Sequence, residues 1–308
     1  MRSLLSLLLG FSFLTGTAHA VKLKTPERPQ LVKDALEQNK PLYYFGLGSN
    51  MSRKKLENRS SEGKIRLLRM EAAIVKDYRL AFNMRGFPPI EPGMGSLEPT
   101  DAKSKALVKY KHDECHGALV KLRPEDYERV MKTEGVGTNN AQAGYEEVVV
   151  TAIPYNRFRK PVQAIALRAR SHVRLSSDPC PSQRYMNILT EGAEGLGLKQ
   201  CYQDFLANHP VQEIPSFLRG VAVYNLVWTL TLAYGLKVRF VSRLQSQLLF
   251  LVYVPSNANS FLKYVSNLAT LLFLLPGAVF GFVSFQIMKA TGTLPPSLTR
   301  MMSFLNPE

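Results

Sequence analysis

The stretch YYFGLGSNM, from Tyr43 to Met51, decides how this chain is interpreted. It overlaps the end of a short apolar run, Pro41–Phe45, which is typical of a strand. The glycines at 46 and 48 remove the side chains that would cover the backbone, so the loop can present a row of N–H groups to a carboxylate or a developing oxyanion. The loop is neither a GxGxxG nor a P-loop sequence. An isolated Gly-Ser-Asn triplet is more often an ordinary turn, so its meaning depends on the rest of the chain.

The region from Leu42 to Leu206 is predicted to have an α+β fold. Segments rich in β-branched and aromatic residues predict five strands, which are Tyr43–Phe45, Glu71–Asn83, His116–Leu122, Tyr145–Ile153 and Val162–Ala169. Pro154–Pro161 is a plausible hairpin connection between the last two. A helix is predicted over Pro124–Lys132, with proline at its first position and acids in its first turn. A second helix is predicted to follow Ser182, a candidate N-cap, and to end near Glu194. Strands outnumber helices and do not alternate with them, which favours α+β over a doubly wound sheet.

Six blocks of this region, in the correct order, resemble the γ-glutamylcyclotransferase family. They are the loop at Tyr43–Met51 (YFAYGSN in the family), VKDYRLAFN (Val75–Asn83), CHGALVKL (Cys115–Leu122), KTEGVG (Lys132–Gly137), GYEEVVV (Gly144–Val150) and PSQRYMNILTEGAEGLGL (Pro181–Leu198). The resemblance extends over roughly Leu42 to Leu206 and reaches neither end of the chain. It implies a small mixed-strand β-barrel with helices packed around it.

The resemblance also implies an activity, the intramolecular cyclisation of a γ-glutamyl group to 5-oxoproline with release of an amino acid by a carbon–nitrogen (amidine-class) lyase. Glu134 matches the family's catalytic glutamate and would act first as general base and then as general acid. That role requires partial burial, which raises the pKa of a carboxyl group toward neutrality. Without the resemblance, a glutamate just past a predicted helix is more simply a solvated helix end.

The substrate-binding residues implied by the resemblance lie in the loop and in the closing helix. The loop would hold the γ-glutamyl group through its backbone N–H groups, and its members are Tyr44, Phe45, Gly46, Leu47, Gly48 and Ser49. Tyr185, in the P-S-x-x-Y start of the closing helix, would hydrogen-bond the same group. Tyr145 could line the pocket, although a strand tyrosine more often belongs to a core. No metal or organic cofactor is required.

One position departs from the family pattern, because the family commonly has tyrosine where this chain has Leu47. Catalysis does not obviously depend on the missing hydroxyl, but substrate preference could. The Gly-Ser-Asn ending favours the branch acting on γ-glutamyl amino acids over the glutathione-specific branch. Similar domains also trim glutathione adducts in fungal epidithiodiketopiperazine pathways. The alternatives are a membrane-anchored γ-glutamyl-binding protein without turnover, and a structural membrane protein whose loop is only a turn.

The two ends of the chain predict targeting and membrane association. Residues 1–20 have one basic residue, an apolar core and an Ala-His-Ala ending, which predict a secretory signal peptide, with an uncleaved anchor as the alternative. Residues 21–40 are a charged lead-in with little to bury, and 41–210 form the catalytic domain. In residues 211–308, Ile214–Pro307 contains no Asp or Glu. Asn267–Met288 is long and apolar enough for a membrane span, and Val221–Leu236 is a second span or an interfacial helix. A buried helical hairpin is the alternative.

Charge and cysteine content narrow the possible partners. The net charge is +15, but no recognition helix, zinc pattern or aromatic-basic sheet motif supports binding of nucleic acid. An anionic membrane surface accounts for the same excess. The three cysteines exclude a disulfide scaffold, although Cys180 and Cys201 could pair in an oxidising compartment and leave Cys115 free.

The sequence leaves the membrane topology open. Basic residues between Lys237 and Arg243 favour a cytosolic position there, whereas a cleaved signal peptide places the catalytic domain in the lumen of the secretory pathway. A glycan at the sequon of Asn50 would block the proposed pocket. The sequence carries no signal for an oligomeric state.

Overall fold

The computed structural model describes residues 24–60, 62–103, 105–136, 143–230 and 260–293. Its strands are β1 (Leu42–Gly46), β2 (Leu67–Lys76), β3 (Tyr78–Phe87), β4 (Glu91–Pro99), β5 (Glu114–Leu122), β6 (Tyr145–Pro154) and β7 (Val162–Ala169). Five of them close into a barrel in the order β1-β5-β2-β6-β7, while β3 and β4 form a separate two-stranded sheet. Strands β1 and β7 are parallel and the other neighbours in the barrel are antiparallel. The predicted α+β fold with a mixed-strand barrel is confirmed.

Helices surround the barrel and continue beyond it. They are α1 (Gln30–Glu37), α2 (Arg53–Glu57), α3 (Pro124–Thr133), α4 (Gln183–Gly195), α5 (Gln200–Ala207), α6 (Ser216–Leu230) and α7 (Ser260–Ala290). A single 3₁₀ turn, Gly48–Met51, follows β1. The side chain of Ser182 accepts a hydrogen bond from the backbone N–H of Tyr185, so the predicted N-cap of α4 is confirmed.

Strands β1 and β5 are buried on both faces. Consecutive residues of a strand point to opposite sides, and Tyr44 and Phe45 belong to two different apolar clusters. Leu119 and Val120 divide in the same way, and all four are at most 1% exposed. One cluster packs against α4 and α5 and the other against α3 and α1. Because both faces are buried, the sequences of these strands are largely continuous apolar runs and do not alternate between apolar and polar residues.

The prediction of one strand over Glu71–Asn83 is wrong, because the chain turns at Asp77. This residue has φ 62° and separates β2 from β3. The run on either side contains no glycine or proline, but aspartate tolerates the left-handed conformation that the turn requires. Strand β4 was not predicted, since its sequence EPGMGSLEP resembles a loop. Pairing with β3, for example Leu80 with Leu97, holds it in the sheet.

The expectation that residues 21–40 have little to bury is also wrong. Val32 and Ala35 of α1 are buried against the second apolar cluster. Arg28 lies just before the helix and forms ion pairs of 2.6 Å with Glu128 and Glu147. The segment therefore packs onto the barrel. The predicted signal peptide at 1–20 lies outside the described residues.

The C-terminal region contributes two packed helices, α6 and α7. Asn225 of α6 donates a hydrogen bond of 2.9 Å to the carbonyl oxygen of Leu274 in α7. In the described part of the chain, α7 is the one helix long and apolar enough to cross a membrane, and it contains the predicted span Asn267–Met288. The predicted segment Val221–Leu236 is helical as far as Leu230, and its remainder lies outside the described residues.

None of the three cysteines, all of which lie in the described part of the chain, forms a disulfide bond. Cys201 lies 3.0 Å from the hydroxyl of Tyr110, while Cys115 and Cys180 are buried. The pairing of Cys180 with Cys201, left open by the sequence, is not formed.

Candidate active site

A cavity of about 290 Å³ opens where β1 runs into its glycine-containing loop. Parts of the chain that are far apart in sequence form its wall, namely the loop, the end of α3, the β3–β4 hairpin, β6, β7 and α4. The residues that line it are Tyr44, Phe45, Leu47, Ser49, Asn50, Arg59, Met84, Met94, Gly95, Thr133, Glu134, Tyr145, Leu167 and Tyr185. The cavity thus brings together the loop and the glutamate segment, which are two of the six blocks named in the sequence analysis.

The carboxylate of Glu134 lies inside this cavity, with its side chain 11% exposed. Its Oε1 atom accepts a hydrogen bond of 2.7 Å from the side-chain amide of Asn50 and lies 2.8 Å from Nη1 of Arg59. The same amide group of Asn50 donates a 2.8 Å hydrogen bond to the hydroxyl of Tyr44. The interpretation of Glu134 as a solvated helix end is therefore wrong, because the side chain is held against the glycine loop.

The end of helix α3 explains the position of Glu134. Gly135 adopts φ 68°, the left-handed conformation that commonly ends a helix. Its N–H donates to the carbonyl oxygen of Lys132, and the N–H of Val136 donates to that of Met131. These two hydrogen bonds define a Schellman motif. Glu134 is the last residue before the reversal, so the Glu-Gly-Val sequence stops the helix and fixes the backbone from which the carboxylate projects.

Three tyrosines, Tyr44, Tyr145 and Tyr185, line the cavity. The hydroxyl of Tyr145 donates to the carbonyl oxygen of Gly95 at 2.8 Å, and the hydroxyl of Tyr185 accepts from the N–H of Gly95 at 3.0 Å. Burial is the main cause that raises the pKa of all three phenols above their ordinary value. They therefore stay protonated at neutral pH and can donate hydrogen bonds.

Gly48 permits the close approach of Tyr185 to the loop. It has φ 60°, and a Cβ atom added here would lie 2.7 Å from the tyrosine hydroxyl. A side chain at this position would therefore displace the tyrosine or the loop. Gly48 contributes space and a turn, and Gly46 packs against Asn50. Neither of these two predicted site residues lines the cavity itself.

The structure brings together most of the predicted site residues. Glu134 lines the cavity with the loop residues Tyr44, Phe45, Leu47 and Ser49 and with Tyr185. Tyr145, considered as a possible lining residue, lies there as well. The aliphatic Leu47 occupies the wall where the family commonly has tyrosine, so the cavity lacks one hydroxyl at that point.

The sequence prediction missed Asn50, Arg59 and the β3–β4 hairpin. Asn50 lay within the quoted motif but was not assigned a role. Arg59 lies nine residues farther on, in a basic and charged segment that resembles a solvated surface. Its Nη1 atom contacts Ser49 Oγ at 3.3 Å and also donates to Asn50 Oδ1. Only the fold of the intervening α2 helix reveals this contact.

No part of the described chain forms a group of three or more His, Cys, Asp or Glu side chains suited to a metal ion. The cavity has one carboxylate and one guanidinium among its described lining residues. Its chemistry is that of an acid–base and hydrogen-bonding site.

Two of the solved structures that resemble this chain each cover 57% of it and 91% of their own length. One is a γ-glutamyl cyclotransferase with a TM-score of 0.43 at 18% identity, and the other is an uncharacterised protein from Homo sapiens with a TM-score of 0.42 at 20% identity. No family model matches the chain.

Curated fungal proteins match the same region. The γ-glutamyl cyclotransferase gliK of Aspergillus fumigatus is 28% identical over 200 residues, which cover 61% of this chain and 70% of that protein. The γ-glutamyl cyclotransferase verK of Clonostachys rogersoniana is 29% identical over 171 residues, which cover 52% of this chain and 89% of that protein. The γ-glutamyl cyclotransferase gliK of Claviceps purpurea is 33% identical over 172 residues, which cover 54% of this chain and 72% of that protein. With 33% identity over 72% of the length of this last relative, the chain belongs to the γ-glutamyl cyclotransferase family.

Proposed function

We propose that this protein converts a γ-glutamyl amino acid, or a glutathione-derived adduct, to 5-oxoproline and a free amine, with Glu134 as general acid and base. The observation that carries the proposal is the contact between the Glu134 carboxylate and the loop inside the cavity. A carboxylate in that position can reach a substrate that the loop holds.

The reaction needs one proton to move twice. Glu134 takes a proton from the α-ammonium of the γ-glutamyl group, and the freed nitrogen attacks the γ-carbonyl carbon. The resulting tetrahedral intermediate carries negative charge on its oxygen. When the γ-amide C–N bond breaks, the protonated Glu134 returns its proton to the departing amine. The attacking nitrogen, which still carries two hydrogens after it bonds to the carbonyl carbon, releases one of them to solvent as the lactam forms, and the free amine takes up a proton from water. Both reactants belong to one molecule, so much of the entropic barrier to their meeting is absent.

The remaining requirement is to stabilise charge on the carbonyl oxygen and to fold the substrate. We assign the stabilisation of this charge to backbone N–H groups of the segment Tyr44–Ser49. This segment runs from the end of β1 into the 3₁₀ turn Gly48–Met51. The phenols of Tyr44 and Tyr185 stay protonated and supply further donors, whereas the hydroxyl proton of Tyr145 is already donated to the carbonyl oxygen of Gly95. Asn50 holds the Glu134 side chain by a hydrogen bond and so keeps it in the cavity.

We further propose that residues 211–308 associate with a membrane, with Asn267–Met288 as the span. The length and apolar character of α7 support this assignment. Entry into the secretory pathway through a signal peptide at 1–20 stays a prediction, as do the domain limits 41–210 and 211–308.

Binding without turnover is the second candidate function. The ion pair between Arg59 and Glu134 favours it, because the carboxylate is already in contact with a guanidinium, which holds no removable proton.

An assay on the full chain in detergent micelles separates the two candidates. Incubation with γ-glutamyl-alanine should yield equal amounts of 5-oxoproline and alanine, measured by mass spectrometry. Glu134→Gln should lower kcat by about 10³-fold, because the amide cannot carry the proton. The matched control is Glu125→Gln, an exposed glutamate in α3, which should match the native chain. Substrate binding by the native chain without product would support the second candidate, and absence of both would overturn the two together.

A further inference from the structure

We propose that Arg59 binds the α-carboxylate of the γ-glutamyl group and that this binding releases Glu134 to act on the neighbouring α-amino group. This inference rests on the proposed function and deepens it. It assigns the side chain that recognises the substrate's charged head, and it explains how the Arg59–Glu134 ion pair is compatible with a general base.

Arg59 is the one cation among the described residues that line the cavity. Its side chain is 26% exposed, and its Nη1 atom is shared among Glu134, Ser49 and Asn50. All three contacts lie on the loop or at the end of α3, where the γ-glutamyl group is expected. An arginine held in this way is positioned for an anionic ligand, because a guanidinium can grip a carboxylate with two parallel hydrogen bonds.

The spacing of the ion pair matches the head of an α-amino acid. In that head, the ammonium nitrogen and the carboxylate carbon are bonded to the same Cα atom and lie about 2.5 Å apart. The protein offers a cation and an anion whose nearest atoms are 2.8 Å apart. A bound γ-glutamyl group can therefore place its carboxylate on Arg59 and its ammonium on Glu134 at the same time.

The exchange conserves charge within the cavity. Without substrate, Arg59 and Glu134 neutralise each other, and with substrate each finds an opposite charge on the zwitterionic head. No charge is left buried without a partner, which would carry a large penalty. The exchange also transfers Glu134 from a guanidinium, which holds no removable proton, to an ammonium whose proton the reaction must remove.

The consequence is a requirement for the free α-carboxylate. A γ-glutamyl compound whose α-carboxylate is a carboxamide cannot draw Arg59 from Glu134, so it should bind poorly and also react slowly. Arg59→Met removes both the attraction and the competing ion pair. The methionine variant should therefore treat the acid and the amide alike, and it should turn over the amide at least as fast as the native chain does.

The test compares γ-glutamyl-alanine with its α-carboxamide analogue on the full chain in detergent. For the native chain we expect the carboxamide to lower kcat/KM by about 100-fold, the scale of a lost charged hydrogen-bonding partner. Arg59→Met should lower kcat/KM for the acid by a similar factor, mainly through KM, and retain less than about a threefold preference. Arg59→Lys should restore part of the preference, since it keeps the charge without the paired geometry.

The control is Arg53→Met, which removes an exposed arginine paired with Glu57 outside the cavity and should match the native chain. Calorimetric binding of 5-oxoproline and of 5-oxoprolinamide gives a second readout that needs no turnover. The native chain should prefer the acid by at least about tenfold and Arg59→Met should not. Loss of this preference in the variant supports the assignment even if the native chain makes no product, a result that would overturn only the proposed reaction. An Arg59→Met variant that makes product and keeps the full preference for the acid would overturn the role of Arg59 alone.

Discussion

The barrel and the α6–α7 helix pair have opposite burial patterns. In the barrel, the large apolar side chains are buried together with alanines, and Leu119 and Ile165 are fully buried. In α7 the buried positions are mostly small or polar, and they are Ser266, Thr270, Leu274, Ala278 and Gly281. Its large apolar side chains face outward instead, including Leu272 at 64% exposed and Val279 at 56%.

The difference is the one expected if the helix pair meets lipid, as proposed above. Water drives large apolar groups inward, which accounts for the barrel. In lipid there is no such force between helices, and small residues are favoured at the contact because they let the backbones approach closely. The contact at Gly281 has this character, since an added Cβ atom would lie 1.8 Å from the carbonyl oxygen of Tyr224.

The two regions meet at the β3–β4 hairpin. Ile90, near its tip, packs with Ala222, Val223 and Leu274 of the helix pair. Farther along β4, Gly95 holds the hydroxyls of Tyr145 and Tyr185 at the cavity. The hairpin therefore connects the wall of the proposed active site to the helices.

The largest effect is expected from Val279→Asp, which tests whether the outer face of α7 meets lipid. An aspartate near the middle of a span disfavours insertion by about 3 kcal/mol, roughly 100-fold in partitioning. We expect the variant to be lost from the alkali-resistant membrane fraction. Tyr264→Asp, an exposed position near the start of α7, should be retained. If Val279→Asp stays in the alkali-resistant membrane fraction as the native chain does, or if the native chain is itself absent from that fraction, the outer face of α7 does not meet lipid and the comparison fails.

Gly281→Leu tests the inner face of the pair. The side chain would collide with the backbone of α6, so the helices must separate at a cost of about 2 kcal/mol. Trp228, the one tryptophan of the chain, stacks on Phe280 and reports the separation by its fluorescence. We expect a shifted emission and a lower melting temperature in detergent. Val283→Leu, on the exposed face, should change neither, and an unchanged emission in Gly281→Leu would contradict close packing.

Glu91→Gln tests a buried acid that joins the hairpin to α4. Ser182 donates hydrogen bonds to both oxygens of Glu91, at 3.1 Å from its N–H and 2.5 Å from its hydroxyl. Burial nevertheless raises the pKa of Glu91 from 4.5 to about 7. Between these pH values the folded chain keeps a proton that the unfolded chain has lost, so stability falls as pH rises through this range and stays lower above it.

Glutamine mimics the protonated acid and cannot ionise, so the variant should be more stable than the native chain at pH 8 by about 1.5 kcal/mol and similar to it at pH 4.5. Thermal unfolding at the two pH values measures the effect. The control is Glu194→Gln, which changes an exposed acid in α4 and should leave the pH dependence of stability unchanged. A Glu91→Gln variant with the native pH dependence would show that this carboxyl does not hold its proton.

The smallest effect is expected from Gly48→Ala, which tests the contact between the loop and Tyr185. The added methyl group would press on the tyrosine hydroxyl, and we expect kcat/KM to fall about fivefold, or about 1 kcal/mol. Gly197→Ala is the matched control, because Gly197 has a similar φ of 69° with nothing within 4 Å of an added Cβ. It should lose stability through backbone strain and keep its activity. Equal activities in the two variants would mean that the close contact is unimportant.

Local sequence was sufficient where neighbours along the chain determine the conformation. Strand Val162–Ala169 was predicted with its observed bounds, and Ser182 caps α4 as expected. Prediction failed where distant partners decide. Strand β4 contains two glycines and two prolines and exists because β3 pairs with it, and α1 is buried because the barrel offers it an apolar surface.

Sequence alone determined the fold class and the end of α3 near Glu-Gly-Val, because turns, caps and strand patterns depend on residues a few positions apart. It connected Glu134 with the glycine loop only through the resemblance to a family, since Asn50 and Glu134 are 84 positions apart along the chain. Only the tertiary structure decided that Arg59 lies against that glutamate and that the hairpin forms part of the cavity wall. Such contacts join segments whose separation along the chain carries no periodic pattern. They depend on the sum of packing over the whole barrel, and short-range preferences do not contain that sum.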